Sequence, residues 1–320
     1  MSSPAERVRS ALADGRLELP PVGEGRTADR WRALVELAVL DVDLARLAEA
    51  HVDAVQILHE ADRGPEPGQV LGVWASEHPA APVRLSAPNA AQDRTLSGSK
   101  AFCSGAGIVD AALVTVMAPE GPLLVQVPGA LLGPVRIDDT AWKVAALRGV
   151  RTATVDLDGV VVPADAVVGP PGWYLGRPGF WAGAVGAAAC WAGAAIGLVH
   201  LAARRSSDDP HALAHLGAMT ADERALRSVL HVAGLEQDAG DGGAGAVQRR
   251  ALEVRHLVDV LCADIEDRFA RCLGPRGLVF DAAAAERRQA VSIYRRQCHG
   301  ERDLAVLGAE VRLADPPART

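Results

Sequence analysis

Basic runs, paired cysteines and aromatic side chains are scarce in this sequence, and each scarcity removes a class of function. Lys and Arg number 33 against 40 Asp and Glu, a formal net charge of −7. Without a basic tract the chain lacks the electrostatic footprint of nucleic-acid binding and offers little to an anionic membrane surface. The expected partner is a small molecule, with no nucleic acid and no membrane. The five cysteines, Cys103, Cys190, Cys262, Cys272 and Cys298, are widely spaced and form neither a CxxC pair nor a Cys/His cluster. They read as reduced thiols of a cytoplasmic protein, and MSSPAERVRSALADGRLELP at the start has no apolar core of a secretory signal. The nine histidines are scattered; His211 and His215 stand four apart with no third ligand near in sequence, so no metal site is expected. Neither a GxSxG elbow nor a P-loop is present.

Aromatics make up 4% of the chain while hydrophobic residues make up 49%, a balance that favours helices packed through small side chains over an all-β core. From Trp31 to about Ala61 apolar residues recur at three-and-four spacing, through Leu37, Leu40, Leu44, Leu47, Ala54 and Leu58, which predicts one amphipathic helix. His51 lies on its apolar face. From Val70 to about Val162 the pattern changes to short runs rich in Val, Thr and Leu, punctuated by Gly, Pro and Asn, which predicts a β domain. Beyond Gly169-Pro-Pro-Gly172 the chain reads as helices. The uncharged stretch 180–203 is long enough to span a bilayer, but its Ala and Gly content fits a helix buried inside a bundle. Thr220-Ala-Asp-Glu223 matches a capping box and predicts a helix start; further helices are expected over about 247–272 and 282–308. Gly240-Asp-Gly-Gly-Ala-Gly245 satisfies GxGxxG but follows a helix rather than a strand, and reads as an inter-helix loop. The expected boundaries are 1–66 for an N-terminal helical region, 67–168 for the β domain and 169–320 for a helical bundle.

The most informative stretch is Leu96-Ser-Gly-Ser-Lys-Ala-Phe-Cys-Ser-Gly-Ala106. Regular strand alternation would put Phe102 and Ser104 on one face, where a planar ring can pack on the aromatic and accept a hydrogen bond from the hydroxyl. The run, with Asp110 beyond it, resembles the G-x-K-x-[FW]-[IC]-[TS]-x-[GA] strand of acyl-CoA dehydrogenases. Trp74-Ala-Ser-Glu77 resembles the family's [TS]-E turn, without the GSD that usually follows. Gly149-Val-Arg151 through Val162-Pro163 resembles the strand that leads into the family's C-terminal bundle.

This resemblance, over about residues 30–310, implies an α+β fold of the acyl-CoA dehydrogenase type: a shortened N-terminal helical region, a central β-barrel-like domain and a C-terminal four-helix bundle. It implies a flavin, FAD or alternatively FMN, held through Trp74, Ser76, Phe102, Cys103, Ser104 and Gly274, the last within a remnant of the family's GGxG segment, Leu273-Gly-Pro-Arg-Gly277. The family's pyrophosphate-gripping Arg-x-x-Phe-Gly segment is not recognisable after Arg204-Arg205. By the same likeness the chain would be a homodimer or homotetramer.

The implied activity is α,β-desaturation of an acyl thioester, free acyl-CoA or carrier-bound, in which a carboxylate removes a proton while the flavin takes hydride. One family position for that base falls near Gly186, which cannot serve. The other falls near His299-Gly300-Glu301, making Glu301 the candidate base and His299 its alternative. The two-component flavin monooxygenases of this fold carry an FCSGA-like strand and two histidines, which map onto Ser104, His51 and His299; oxygenation is therefore an alternative. A third reading is a non-catalytic partner subunit that kept the fold.

Overall fold

The computed structural model describes residues 2–76, 81–240 and 243–314. Three helices come first: α1 (Pro4–Ala13), α2 (Thr27–Leu40) and α3 (Val42–Glu60). Strands follow: β1 (Leu71–Trp74), β2 (Arg84–Leu85), β3 (Arg94–Ser97), β4 (Ser99–Cys103), β5 (Ala111–Ala118) and β6 (Gly121–Pro128). After the single turn α4 (Gly129–Leu132) come β7 (Ile137–Asp138), β8 (Ala153–Asp156), β9 (Val161–Val162) and β10 (Val167–Val168). The rest is helical: α5 (Trp173–Gly176), α6 (Phe180–Arg205), α7 (Pro210–Ala239), α8 (Gly243–Phe280), α9 (Ala282–Tyr294) and α10 (Glu301–Ala314).

Two units emerge, residues 1–19 with 43–180, and residues 20–42 with 181–320. The N-terminal helices are thus not a body of their own. The single helix predicted from Trp31 to Ala61 breaks at Asp41, whose backbone is extended (φ −152°, ψ 109°), and its halves go to different units.

In the first unit the large sheet runs β10-β6-β5-β2-β3-β9 with β1 alongside β5, and a smaller sheet runs β4-β8-β7. Pairing is antiparallel except where β1 and β2 meet β5. Leu96, Val114 and Val125 of the large sheet share one apolar core with Cys103 and Val155 of the small one, the arrangement of a flattened barrel. A second cluster joins Ala54, Ile57 and Leu58 of α3 to Leu71, Leu113 and Leu124. Ile57 and Leu58 are fully buried there, each worth about 2 kcal/mol of transfer free energy. Helix α1 is tied to the same unit by Arg9, which grips both oxygens of Asp110 at 2.8 and 2.9 Å.

The second unit is organised around α2 and α6. Small residues allow their close approach: a Cβ at Gly193 would strike the Val35 carbonyl and crowd Ala38. Helix α2 is held at both ends. Asp238 of α7 accepts from the Thr27 amide at 2.8 Å and the Thr27 hydroxyl at 2.6 Å, satisfying donors at the helix start. Arg287 of α9 donates to the Val39 carbonyl at 2.8 and 3.0 Å and to that of Ala38 at 3.3 Å, satisfying acceptors at the end. Helix α6 is apolar and long enough to cross a membrane, yet 89% of its most apolar window is buried.

The helical boundaries differ from the sequence expectation where a local pattern competes with a stronger signal. Helix α7 starts at Pro210, with Asp209 as its cap accepting from the Ala212 amide at 3.0 Å. Thr220 lies inside it, its hydroxyl donating back to the Leu216 carbonyl. Proline at the first helical position outweighs the downstream capping-box pattern. Helix α8 continues to Phe280 through a kink at Gly274 (φ 62°, ψ −178°) next to Pro275, and the helix expected over 282–308 divides into α9 and α10. Gly240, at φ 71°, ends α7; Asp241 and Gly242 of the GxGxxG stretch lie outside the described residues.

Candidate functional site

Strand β4 does not alternate as its sequence suggests. Lys100 and Cys103 both face inward, with an irregularity in the β4–β8 register between them. The intervening Phe102 has φ 57° and is 66% exposed, whereas Ser104 is buried. Phe102 and Ser104 therefore do not share a strand face; the extra residue of a bulge re-aims the side chains. Left-handed backbone at a non-glycine residue costs about 1 kcal/mol or more and is found where surrounding structure enforces it.

The enforcing contacts lie around Ser104. Its carbonyl accepts the Trp74 indole N–H at 3.0 Å, and its hydroxyl lies 3.0 Å from that of Thr152 at the start of β8. The Gly105 amide donates to the Val150 carbonyl at 2.9 Å. In the hydroxyl pair one O–H donates to the other oxygen, which leaves the second O–H free to donate to a ligand. The exposed Phe102 and this hydroxyl pair lie two residues apart along the chain, an aromatic surface and a donor of the kinds a flat heteroaromatic ligand uses.

Two residues expected at the cofactor are instead core. Trp74 is 2% exposed and backs the Ser104 bend. Cys103 is fully buried, its thiol pushed up to about 12 by desolvation, and it donates to the Lys100 carbonyl. Ser76 is exposed two residues after β1, and Glu77 lies outside the described residues. Lys100 is buried and donates from Nζ to the carbonyl and hydroxyl of Thr115, both at 2.8 Å.

His51 is 3% exposed on α3, and its Nδ1 accepts the Leu71 amide at 3.1 Å. Burial lowers its pKa to about 4, so the ring is neutral with its proton on Nε2. Its first role is that of an acceptor at the start of β1. It is not a cationic acid at neutral pH.

No protein-family model and no curated protein matches the chain. Solved structures do. The nitrososynthase from Micromonospora carbonacea var. africana aligns with a TM-score of 0.78 at 17% identity, covering 97% of this chain and 90% of that one. Dibenzothiophene monooxygenase (TdsC) from Paenibacillus sp. A11-2 aligns at 0.74 and 17% over 95% and 94%. Butyryl-CoA dehydrogenase from Megasphaera elsdenii aligns at 0.74 and 17% over 96% and 89%. The fold is that of the acyl-CoA dehydrogenases.

Within this acyl-CoA dehydrogenase fold the remaining candidate residues belong to the second unit. Gly186 of α6 faces Leu34 of α2 and carries no functional group. Gly274 forms the kink of α8, where its left-handed backbone explains the glycine. His299 and Glu301 flank Gly300 (φ 54°) in the turn before α10. Arg255 of α8 steadies the approach to that turn, donating to the Gln297 carbonyl at 2.6 Å while stacking on Trp191 at 4.7 Å from its centroid.

Glu301 is exposed at the first position of α10. His299 is half exposed, and its Nδ1 has two neighbours, an Arg302 guanidinium nitrogen at 2.7 Å and an Asp303 oxygen at 3.5 Å. The neutral ring accepts from Arg302, and the protonated ring donates to Asp303. Desolvation, followed by the nearby Arg302 charge, lowers the His299 pKa. Thr152 escaped the sequence reading because only strand pairing brings it to Ser104; Asp303 escaped too, although its spacing of four from His299 is a local signal that could have found it. Among the described residues no group of three His, Cys, Asp or Glu is arranged to hold a metal.

Proposed function

We propose that the chain is a flavin-dependent oxidoreductase and that its reaction is oxygenation driven by reduced flavin. The observation that carries the flavin assignment is the exposed Phe102 at φ 57°, two residues before Ser104, whose hydroxyl pairs with that of Thr152 and leaves one donor spare. Bound there, a flavin would supply hydride-accepting or oxygen-activating chemistry that no side chain of this protein provides. Phe102 would pack on the isoalloxazine ring, and the spare hydroxyl would donate to the edge that carries its nitrogen and carbonyl acceptors. The donor set fits the ring end of the cofactor, and the lack of a recognisable pyrophosphate grip favours FMN over FAD.

The residues of the second unit favour oxygenation over the desaturation that the sequence ranked first. Desaturation calls for a carboxylate screened from water, so that its basicity suits the task. One base position is Gly186, and at the other Glu301 is exposed to solvent. His299, with its two alternative partners, is suited to gaining and losing a proton. TdsC, whose fold this chain shares, is a monooxygenase and has been solved with FMN and indole.

The test is spectroscopic and kinetic. The protein should bind FMN with a shifted flavin spectrum, and turnover should need externally reduced flavin and oxygen. Failure to retain either FMN or FAD would leave the non-catalytic reading. Anaerobic bleaching of bound flavin by an acyl-CoA, abolished in Glu301→Gln, would restore desaturation and reject oxygenation.

A further inference from the structure

The loop from β7 to β8 builds a cleft whose two arginines have no part in the proposed reaction. It has a volume of about 230 Å³ and is lined by Asp139, Trp142, Arg148, Arg151 and Thr152. Two non-glycine residues with left-handed backbone, Leu147 at φ 57° and Arg151 at φ 51°, bracket the single turn that carries Arg148. The Trp142 indole N–H donates to the Ala146 carbonyl at 3.0 Å, which fixes one wall. Arg151 lies against the backbone of Gly107, where a Cβ would come within 3.0 Å of its Nη1. This brings a guanidinium close to the bend that holds Ser104, and Thr152 is shared between the cleft and the hydroxyl pair.

The charges are poorly matched within the protein. Arg148 is exposed with no ion-pair partner among the described residues. Arg151 has only Asp139, at 3.9 Å with both side chains about half exposed, a separation at which an ion pair contributes little. Two guanidiniums against one carboxylate leave a net positive cleft with donors in planar forks, the arrangement that suits a phosphoryl group. Backbone strain at both ends of the turn is the kind of cost retained where a ligand site needs it.

We propose that Arg148 and Arg151 bind the phosphoryl group of a ligand whose remainder extends toward Ser104. That group comes either from the flavin or from a phosphorylated substrate. The cleft itself does not depend on the flavin reading; only the choice between these sources rests on it.

The experiment compares the wild-type chain with an Arg148→Gln/Arg151→Gln double variant in chloride buffer of low ionic strength. Calorimetric titration with inorganic phosphate should show binding that weakens at least tenfold in the double variant. In parallel, FMN and riboflavin, which differ by the phosphate, are titrated by flavin fluorescence. FMN binding at least tenfold tighter than riboflavin, with the difference lost in the variant, supports the cofactor as source. Equal flavin affinities in both proteins, with phosphate binding still lost, support the substrate. Phosphate binding with no flavin binding at all would refute the proposed function and leave the cleft standing. No phosphate binding by the wild type, or equal binding by the variant, overturns the proposal. Should the double variant fail to fold, Arg148→Gln alone, at an exposed position, must weaken phosphate binding at least threefold or the proposal fails.

Discussion

His51 gives the structure a measurable pH dependence. Its pKa falls from 6.5 to about 4 because burial disfavours the charged ring, while in the unfolded chain it titrates near 6.5. Above pH 6.5 both states are neutral and the folded protein carries no penalty. As pH falls from 6.5 to 4 the unfolded chain takes up a proton that the folded one refuses, and stability is lost over that window. At about 1.36 kcal/mol per unit the loss approaches about 3 kcal/mol near pH 4. His51→Gln removes the titration. Urea unfolding from pH 7.5 to 4, at constant ionic strength, should show wild type losing about 3 kcal/mol more than the variant. The absolute stability of His51→Gln at pH 7.5 does not enter, since the comparison is of slopes. Parallel profiles, or a His51 ring titrating near its ordinary value by NMR, would refute the reasoning.

An opposite slope belongs to Asp222 in the second unit. Desolvation, with a hydrogen bond to Asp264, raises its pKa from 3.8 to about 6, so the folded state holds a proton that the unfolded state has released. Stability falls as pH rises from 3.8 to 6. The shift alone corresponds to about 3 kcal/mol, reduced to about 1 kcal/mol by solvent screening of this partly exposed carboxyl. Asp222→Asn should flatten that part of the profile; an unchanged slope would count against the shared proton. In α6, Gly197→Ala would normally raise helix stability by up to about 1 kcal/mol. Here the methyl would coincide with the Arg287 guanidinium and disturb its bonds to Ala38 and Val39, so a net loss of about 2 kcal/mol is expected in thermal or urea unfolding.

What the sequence made legible was contiguous. The run from Leu96 to Ala106 carries its pattern in neighbouring positions, and the α+β order follows from a change of hydrophobic period between Ala61 and Val70. His51 was legible too, since three-and-four spacing placed it on a buried face. The break at Asp41 was not, because the apolar stripe continues across it and only tertiary packing sends α2 and α3 to different units. Nor was the Ser104–Thr152 pair, which depends on strand pairing between positions far apart in the chain. The arginine cleft needs two left-handed residues that are neither Gly nor Asn, and sequence propensity argues against those. The readable parts are those fixed by local period; the unread parts are those where long-range pairing overrides it.

Phe102 is where that override meets function, and it separates strain from packing. Phe102→Gly and Phe102→Ala both delete the ring of a residue that is 66% exposed and contributes little to the core. They differ in the backbone. Alanine keeps the cost of φ 57°, whereas glycine adopts it freely. If the bulge imposes this geometry, the glycine variant should be the more stable of the two by about 1 kcal/mol, the reverse of the order expected in a regular strand. Both should lose flavin affinity, because a backbone held at such cost to present an aromatic ring has no structural use for that ring. Unfolding free energies and FMN titrations of the two variants decide the matter together. If alanine is the more stable, the left-handed conformation is not imposed by the fold; if flavin affinity survives in both, the ring is not the platform on which the cofactor packs.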